Sequence, residues 1–177
     1  MVTSGSYARL QSWQDMDELT LGLSICITGK LHDEALTACA RQLAAWSVAM
    51  PPVEPLVLDF GLGEYWKTGL IEYWIANEAT AGYCGKYLFV FDGQTCPLHS
   101  HVKKHETFFL VRGRARVVMD GREQIMAEGD VLPMAPRRKH SFTGIGPALF
   151  LELSMPCEVD DNRFEDARIP IGKKARP

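Results

Sequence analysis

Four of the five histidines in this sequence lie between positions 99 and 140, close to a glutamate at position 106. His99 and His101 are two residues apart, so on a strand both side chains leave the same face. A later antiparallel strand could return His140 to the same place. Three neutral imidazoles and one carboxylate are a ligand set suited to Mn, Fe, Co, Ni, Cu or Zn. The predicted ligands of one divalent metal ion are His99, His101, Glu106 and His140.

The spacing around the histidine pair matches a known motif, G-x5-HxH-x4-E-x6-G, at every fixed position. The matching residues are Gly93, His99, His101, Glu106 and Gly113. This is the first motif of the cupins. A histidine pair alone would be weak evidence, because a strand histidine is more often an ordinary core or surface residue than a ligand. The complete spacing favours a metal site instead.

The segment 129–140, GDVLPMAPRRKH, resembles the second cupin motif, which ends on the fourth ligand. It departs from the pattern at Ala135, where proline is usual, and at Arg137, where glycine is usual. Both departures fall in the turn that must aim His140. They leave the ligand itself unchanged.

The elements that must position these residues are predicted from periodicity and turn chemistry. Apolar residues recur at helical spacing over 33–50, and prolines at 51, 52 and 55 end this amphipathic helix. Residues 19–27 are apolar enough for a strand, but their periodicity decides nothing. After position 55, short apolar runs alternate with glycine, asparagine and aspartate turns. The predicted strands are 56–60, 70–75, 86–91, 106–111, 115–119, 122–126, 131–134, 140–143 and 148–154.

Many short strands with no helix between them indicate a barrel or a sandwich rather than a parallel α/β sheet. Together with the motifs they predict a mainly β protein, a single cupin (double-stranded β-helix or jelly-roll) barrel with an N-terminal α-helix. The predicted organisation is a helical extension over 1–55 packed on the barrel, the barrel over 56–170, and a solvated tail over 171–177.

Composition and charge exclude several classes of protein. Hydrophobic residues make up 46% and charged residues 23%, as in ordinary soluble domains. The net charge of -3 gives no electrostatic reason to expect nucleic acid or an anionic membrane as a partner. No stretch approaches the roughly 20 apolar residues that span a bilayer, and no secretory signal is evident. The five cysteines form no CxxC pair, which favours reduced thiols in the cytoplasm.

A narrower resemblance extends from about position 56 to 169. The segments that carry it are DFGLG (59–63), GLIEYWIANE (69–78), YCGK (83–86), FDGQTCPLHSH (91–101), KHETF (104–108), LELSMP (151–156) and DDNRFEDARI (160–169). In this order they resemble the D-lyxose ketol-isomerase family. The patterns QTCP-x-HxH and K-x-ET are the most specific part of the match.

The resemblance implies a metal, manganese first, with zinc, iron, cobalt or nickel as alternatives. It also implies two candidate catalytic residues for proton handling or substrate contact. These are Lys104, two residues before the motif glutamate, and Glu152, on the last barrel strand. Taken without the resemblance, Lys104 is equally consistent with a solvated loop lysine, and Glu152 with an outward, solvated carboxylate.

The implied activity is aldose–ketose isomerisation of a small sugar through an enediol-type intermediate at the metal. Metal, carboxylate and ammonium are the groups that such a hydrogen transfer between C1 and C2 needs. Two alternatives remain open at this stage: a non-catalytic sugar-binding cupin, and an iron-dependent cupin dioxygenase with much the same ligands. The expected partners are the sugar and a second copy of the chain, as a homodimer.

Overall fold

The computed structural model describes residues 22–23 and 25–171. Helix α1 (Gly29–Ala45) precedes the strands. The strands are β1 (Leu56–Leu58), β2 (Leu70–Glu78), β3 (Tyr83–Val90), β4 (Thr95–His101), β5 (Glu106–Met119), β6 (Arg122–Ala127), β7 (Val131–Met134), β8 (His140–Ser154) and β9 (Asn162–Phe164). Residues 1–21 and 172–177 lie outside the described range, so the predicted N-terminal extension and solvated tail stay predictions.

All pairs of these strands are antiparallel and form one curled sheet, in the order β1-β2-β3-β8-β4-β9 with β5, β6 and β7 joined to β8 through β5. This confirms the prediction of a mainly β barrel with a helix before it. Strands β4 and β9 were not among the predicted strands. Strand β9 pairs with the edge of β4 that lies away from β8. None of the helices in the described residues is long and apolar enough to cross a membrane.

The two longest strands, β5 and β8, were each predicted as two short strands with a break. In the structure each of them is one continuous strand, because the chain forms β-bulges where the breaks were predicted. The register between β5 and β8 shifts on both sides of Gly113. Gly113 has φ +83, and a Cβ there would lie 2.2 Å from the carbonyl oxygen of Pro147. Only glycine fits this bend, which lets a single strand continue from one side of the barrel to the other.

The bend brings the two ends of the β5–β8 ladder together. Glu106 pairs with Ser154 at one end of the ladder, and His140 pairs with Met119 at the other. Nevertheless Oε1 of Glu106 lies 2.8 Å from Nε2 of His140. The sheet therefore curls so far that the two ends of the β5–β8 ladder come into contact.

Helix α1 begins and ends about four residues earlier than the predicted helix over 33–50. Ser47 takes a left-handed conformation with φ 55. The N–H groups of Ser47 and Val48 donate to carbonyl groups of the last turn, at 3.0 Å each. This is a Schellman motif, and Ser47 takes the left-handed position that glycine usually occupies. Met50 lies beyond the helix but still packs against the sheet, which explains why the apolar periodicity continues past the end.

The strands separate two apolar clusters. One fills the barrel and includes Leu70, Phe108 and Phe150, which alternate along their strands with residues facing outward. The other lies between α1 and the outer face of β2, β3 and β8, where Cys39 and Leu43 pack. The helix therefore supports the sheet from outside, and the polar residues that share the inner face remain in the barrel.

Candidate active site

The four predicted metal ligands meet inside the barrel. His99 and His101 lie on β4, Glu106 is the first residue of β5, and His140 is the first residue of β8. Each offers one ligand atom, and these atoms lie within 4.8 Å of one another. All four side chains are buried. His105, by contrast, is exposed, as expected for the neighbour of an inward Glu106.

Backbone carbonyl groups fix the tautomers of two of the histidines. Nδ1 of His99 lies 2.8 Å from the oxygen of Pro97, and Nδ1 of His140 lies 3.0 Å from the oxygen of Arg138. A carbonyl oxygen can only accept, so each Nδ1 carries the proton and each neutral ring keeps a lone pair on Nε2. Burial and the neighbouring imidazoles hold the pKa of His99 well below its usual value. This ring is therefore neutral at pH 7 and able to bind a cation.

Several buried polar atoms of the cluster make no hydrogen bond among the described residues. They are both ring nitrogens of His101, Oε1 of Glu106 and Nε2 of His140. Oε1 of Glu106 lies 2.8 Å from Nε2 of His140, but this nitrogen carries no proton in the tautomer fixed by Arg138. Buried polar atoms without partners are unfavourable by about 1–3 kcal/mol each. Three nitrogen donors and one carboxylate, with unsatisfied lone pairs at their meeting point, fit a divalent transition metal.

The departure at Arg137 does not prevent the turn that aims His140. Arg137 takes φ 70, the left-handed conformation that glycine adopts more easily. Its backbone N–H donates to the carbonyl oxygen of His101 at 2.6 Å. The turn is thus tied directly to β4, next to the ligand pair.

A buried carboxylate holds the loop between β4 and β5. Asp161 accepts the backbone N–H groups of three successive residues, 102–104, at 3.0 to 3.2 Å. This loop joins the histidine pair to Glu106 and carries Lys104. Sequence reasoning gave Asp161 no role, because its partners lie almost 60 residues away.

Lys104 is buried, with 4% of its surface exposed, and is not a solvated loop lysine. Its Nζ lies 2.7 Å from Oε2 of Glu106 and 2.9 Å from Oε1 of Glu152. Burial alone would lower the pKa of Lys104, but these two carboxylates outweigh burial and raise it. The ammonium group is therefore charged and placed beside a metal-ligand candidate.

Glu152 also faces the interior, with 2% of its surface exposed. Its Oε1 accepts from Lys104 and from the hydroxyl of Ser154 at 2.9 Å each. Its Oε2 lies 3.6 Å from Nζ of Lys86. Burial would raise the pKa of Glu152, but the ammonium groups of Lys104 and Lys86 hold it below its usual value. The outward alternative for this residue does not apply.

Lys86 and Glu72 extend this network and were missed by sequence reasoning. Nζ of Lys86 lies 3.0 Å from Oε1 of Glu72, whose Oε2 accepts the indole N–H of Trp74 at 2.7 Å. The signal was present, since Glu72 lies two residues from Leu70 and Lys86 two residues from Leu88, so each charge shares the inward face of its strand with apolar residues. Five buried charges thus alternate in sign along one path. In order they are Glu106, Lys104, Glu152, Lys86 and Glu72.

One cavity contains the network and three of the four predicted ligands. It has about 680 Å³ of space free of protein atoms, its open side included. Its apolar wall includes Leu70, Leu88 and Phe142, and the half-buried Phe164 and Asn162 of β9 also line it.

The family model of the cupin domain, Cupin_2, matches residues 88–154. This match begins in β3 and ends with β8, so it covers all four predicted ligands. The resemblance to cupins inferred from the two motifs is therefore confirmed.

Among curated proteins, the D-lyxose/D-mannose isomerase of Thermosediminibacter oceani is 41% identical over 71 residues. The match covers 37% of this chain and 38% of that protein, so this chain matches well under half of the relative's length.

Similar solved structures include L-ribose isomerases from two bacteria. The enzyme of Cellulomonas parahominis, solved with L-ribose, has a TM-score of 0.68 at 18% identity. The match covers 85% of this chain and 98% of that enzyme's chain. The enzyme of Geodermatophilus obscurus has a TM-score of 0.67 at 16% identity, with 84% and 98% covered. At these identities the likeness shows the fold alone.

Proposed function

We propose that this cupin is a metal-dependent aldose–ketose isomerase of small free sugars, with D-lyxose and D-mannose as the first substrates to test. The observation that carries the proposal is the buried pair of Lys104 and Glu152 beside the four converging ligands, three of which line the same cavity as the pair. The named relatives support it, since all are sugar isomerases.

The residues that would hold the metal are His99, His101, Glu106 and His140. A bound divalent ion would polarise the sugar carbonyl and offset the negative charge that develops as a hydrogen leaves the adjacent carbon. Manganese is our first choice of metal. Zinc, iron, cobalt and nickel remain alternatives, because nitrogen and carboxylate donors suit all of them.

In this proposal Glu152 acts as the base that moves the carbon-bound proton. In the aldose-to-ketose direction its carboxylate removes the proton from C2, and Lys104 donates a proton to O1, which gives the enediol. Lys104 then recovers a proton from O2, and Glu152 returns its proton to C1. Atoms and charges balance, and the product is the ketose.

The two transfers would be coupled through the contact between Lys104 and Glu152. The carboxylate of Glu152 is one of two that raise the pKa of Lys104. When Glu152 takes up the proton from carbon, this charge disappears, and Lys104 becomes a stronger acid at the moment O1 needs a proton. An ammonium group has three N–H donors, and two of those on Lys104 meet carboxylates, which leaves one for the substrate.

Metal content by inductively coupled plasma mass spectrometry, followed by a panel of aldoses, tests this function. We expect one metal per chain, formation of a ketose from at least one aldose, loss of turnover on chelation and recovery with Mn²⁺. A metal-replete preparation that converts no aldose would refute the isomerase. Oxygen uptake with Fe²⁺ would instead indicate a dioxygenase, and sugar binding without turnover a binding protein.

A homodimer and a cytoplasmic location stay predictions. Exposed apolar residues on the outer side of the barrel, Val131 and Leu153 among them, are compatible with a second copy. Light scattering on the eluting peak of a sizing column would measure the oligomer directly.

A further inference from the structure

Lys86 and Glu72 are two buried charges to which the proposed chemistry gives no role. They are only 5% and 8% exposed, and both line the cavity that contains the candidate catalytic pair. A buried ion pair is seldom retained for stability, since well-packed apolar residues usually serve as well or better. Their position in the wall of this cavity therefore indicates a functional role.

The strand register aligns Lys86 with Glu152. Lys86 of β3 lies directly opposite Glu152 of β8 on one side and opposite Trp74 of β2 on the other. Its Nζ lies 3.6 Å from Oε2 of Glu152, while Lys104 meets Oε1 at 2.9 Å. Each oxygen of the Glu152 carboxylate thus faces its own ammonium group, which restrains rotation of the carboxylate.

Lys86 is itself held in place by neighbours on β2. Its Nζ contacts Glu72 at 3.0 Å and lies 5.3 Å from the centre of the Trp74 ring, a cation–π distance. Trp74 also donates its indole N–H to Glu72 at 2.7 Å, so Glu72 and Trp74 are fixed to each other. The three side chains form a rigid support behind Glu152.

We propose that Lys86, supported by Glu72 and Trp74, is a positioning residue that fixes the Glu152 carboxylate toward one face of the substrate. This inference rests on the proposed isomerase function. The enediol is planar at C1 and C2, so a proton delivered to C2 from the opposite face would give the C2 epimer of the aldose. A carboxylate restrained on both oxygens delivers to one face. Lys86 therefore determines which C2 epimer is formed, in addition to the rate.

The test is the double variant Lys86→Met/Glu72→Gln. It removes both charges together, keeps an amide oxygen at position 72 for the indole N–H of Trp74, and leaves every predicted ligand and Lys104 in place. The matched control is Arg116→Met/Glu123→Gln, which removes an exposed pair on the β5–β6 hairpin. Each is assayed with metal bound, starting from the ketose, and the aldoses formed are separated by chromatography.

We expect the double variant to bind one metal per chain and to lose about 100-fold in kcat with KM changed by less than about threefold. It should form both C2 epimers, whereas the wild type and the control form one. An unchanged kcat would overturn the inference, and so would a lower kcat with a single epimer, since that indicates a general structural loss. If the double variant does not fold, Glu72→Gln alone carries the same test with a smaller loss. An inactive wild type would instead refute the isomerase function.

Discussion

At the scale of single residues, the five buried charges of alternating sign form a path through the barrel. It begins at the proposed ligand Glu106 and ends at Glu72. Each carboxylate in it lies beside an ammonium group, and each ammonium group beside two carboxylates. Removing one carboxylate still leaves each ammonium group a partner, whereas removing a lysine leaves Glu106 or Glu72 buried without its ammonium group, which is unfavourable. Substitutions that keep shape and change charge are therefore the informative ones.

Glu152→Gln keeps the size of the side chain and removes its basicity. We expect kcat to fall by about 10²- to 10⁴-fold, the usual contribution of a general base. Metal content should remain at the wild-type value, because Glu152 is not among the converging ligand atoms. Steady-state kinetics with metal analysis checks this, with the exposed Glu123→Gln as control. A Glu152→Gln protein with wild-type kcat would exclude this residue as the base.

Arg137→Gly should stabilise the protein. A non-glycine residue in the left-handed region is strained by about 1–2 kcal/mol. Glycine relieves this strain, but part of the gain is lost because glycine makes the unfolded chain more flexible. We expect a net gain of about 0.5–1 kcal/mol in the free energy of unfolding, measured with urea. Arg137→Val should lower it, because a β-branched residue tolerates φ 70 less well. Equal stability of all three proteins would contradict this account of the turn.

At the scale of elements, local patterns predicted what depends on neighbours in the chain. Fixed spacing placed His99 and His101 on one face. Alternation along the last strand put Glu152 on the face opposite to Leu151 and Leu153 but did not decide which face is inward. The continuity of β5 through Gly113 was not predictable, because it depends on Pro147, a distant residue that approaches the bend. Asp161 was missed for the same reason, since its partners lie 57 to 59 residues away. Alternation indicated the inward face for Lys86, but its pairing with Glu152 depends on the register between β3 and β8, which one sequence does not specify.

Gly113→Ala should be strongly destabilising because it disrupts the bend of β5. The new Cβ would meet a backbone carbonyl at 2.2 Å, and φ is +83. We expect a loss of at least about 2–3 kcal/mol in the free energy of unfolding. Gly129→Ala is the matched control, since φ is also positive there but no atom lies within 4 Å. It should lose only about 1 kcal/mol. Similar losses in the two variants would show that crowding at Gly113 does not matter.

At the scale of the whole molecule, the barrel holds a polar site within an apolar interior. Helix α1 packs against the outer face of the sheet, on the side away from the cavity. The site is instead joined to the stability of the barrel through its ligands, which come from three different strands. Metal binding should therefore stabilise the fold as a whole.

Removal of metal should lower the midpoint of thermal unfolding. An ion present at 100 times its Kd stabilises the folded state by about 2.7 kcal/mol, which corresponds to about 5–10 °C for a chain of this size. Differential scanning calorimetry of the chelated protein, before and after Mn²⁺ is restored, measures the shift. His140→Ala provides the control, because it should make the midpoint much less sensitive to the chelator. A midpoint that does not respond to metal in the wild type would argue against a site of useful affinity.

The meeting of the two ends of the β5–β8 ladder also bears on the order of assembly. Glu106 and His140 start at opposite ends of this ladder but finish in contact, so they can share an ion only after every register between them has formed and the sheet has curled. Contacts between strands so distant in sequence form slowly. Metal would then bind last, after the strands have paired, and the bound ion would stabilise a barrel that has already closed.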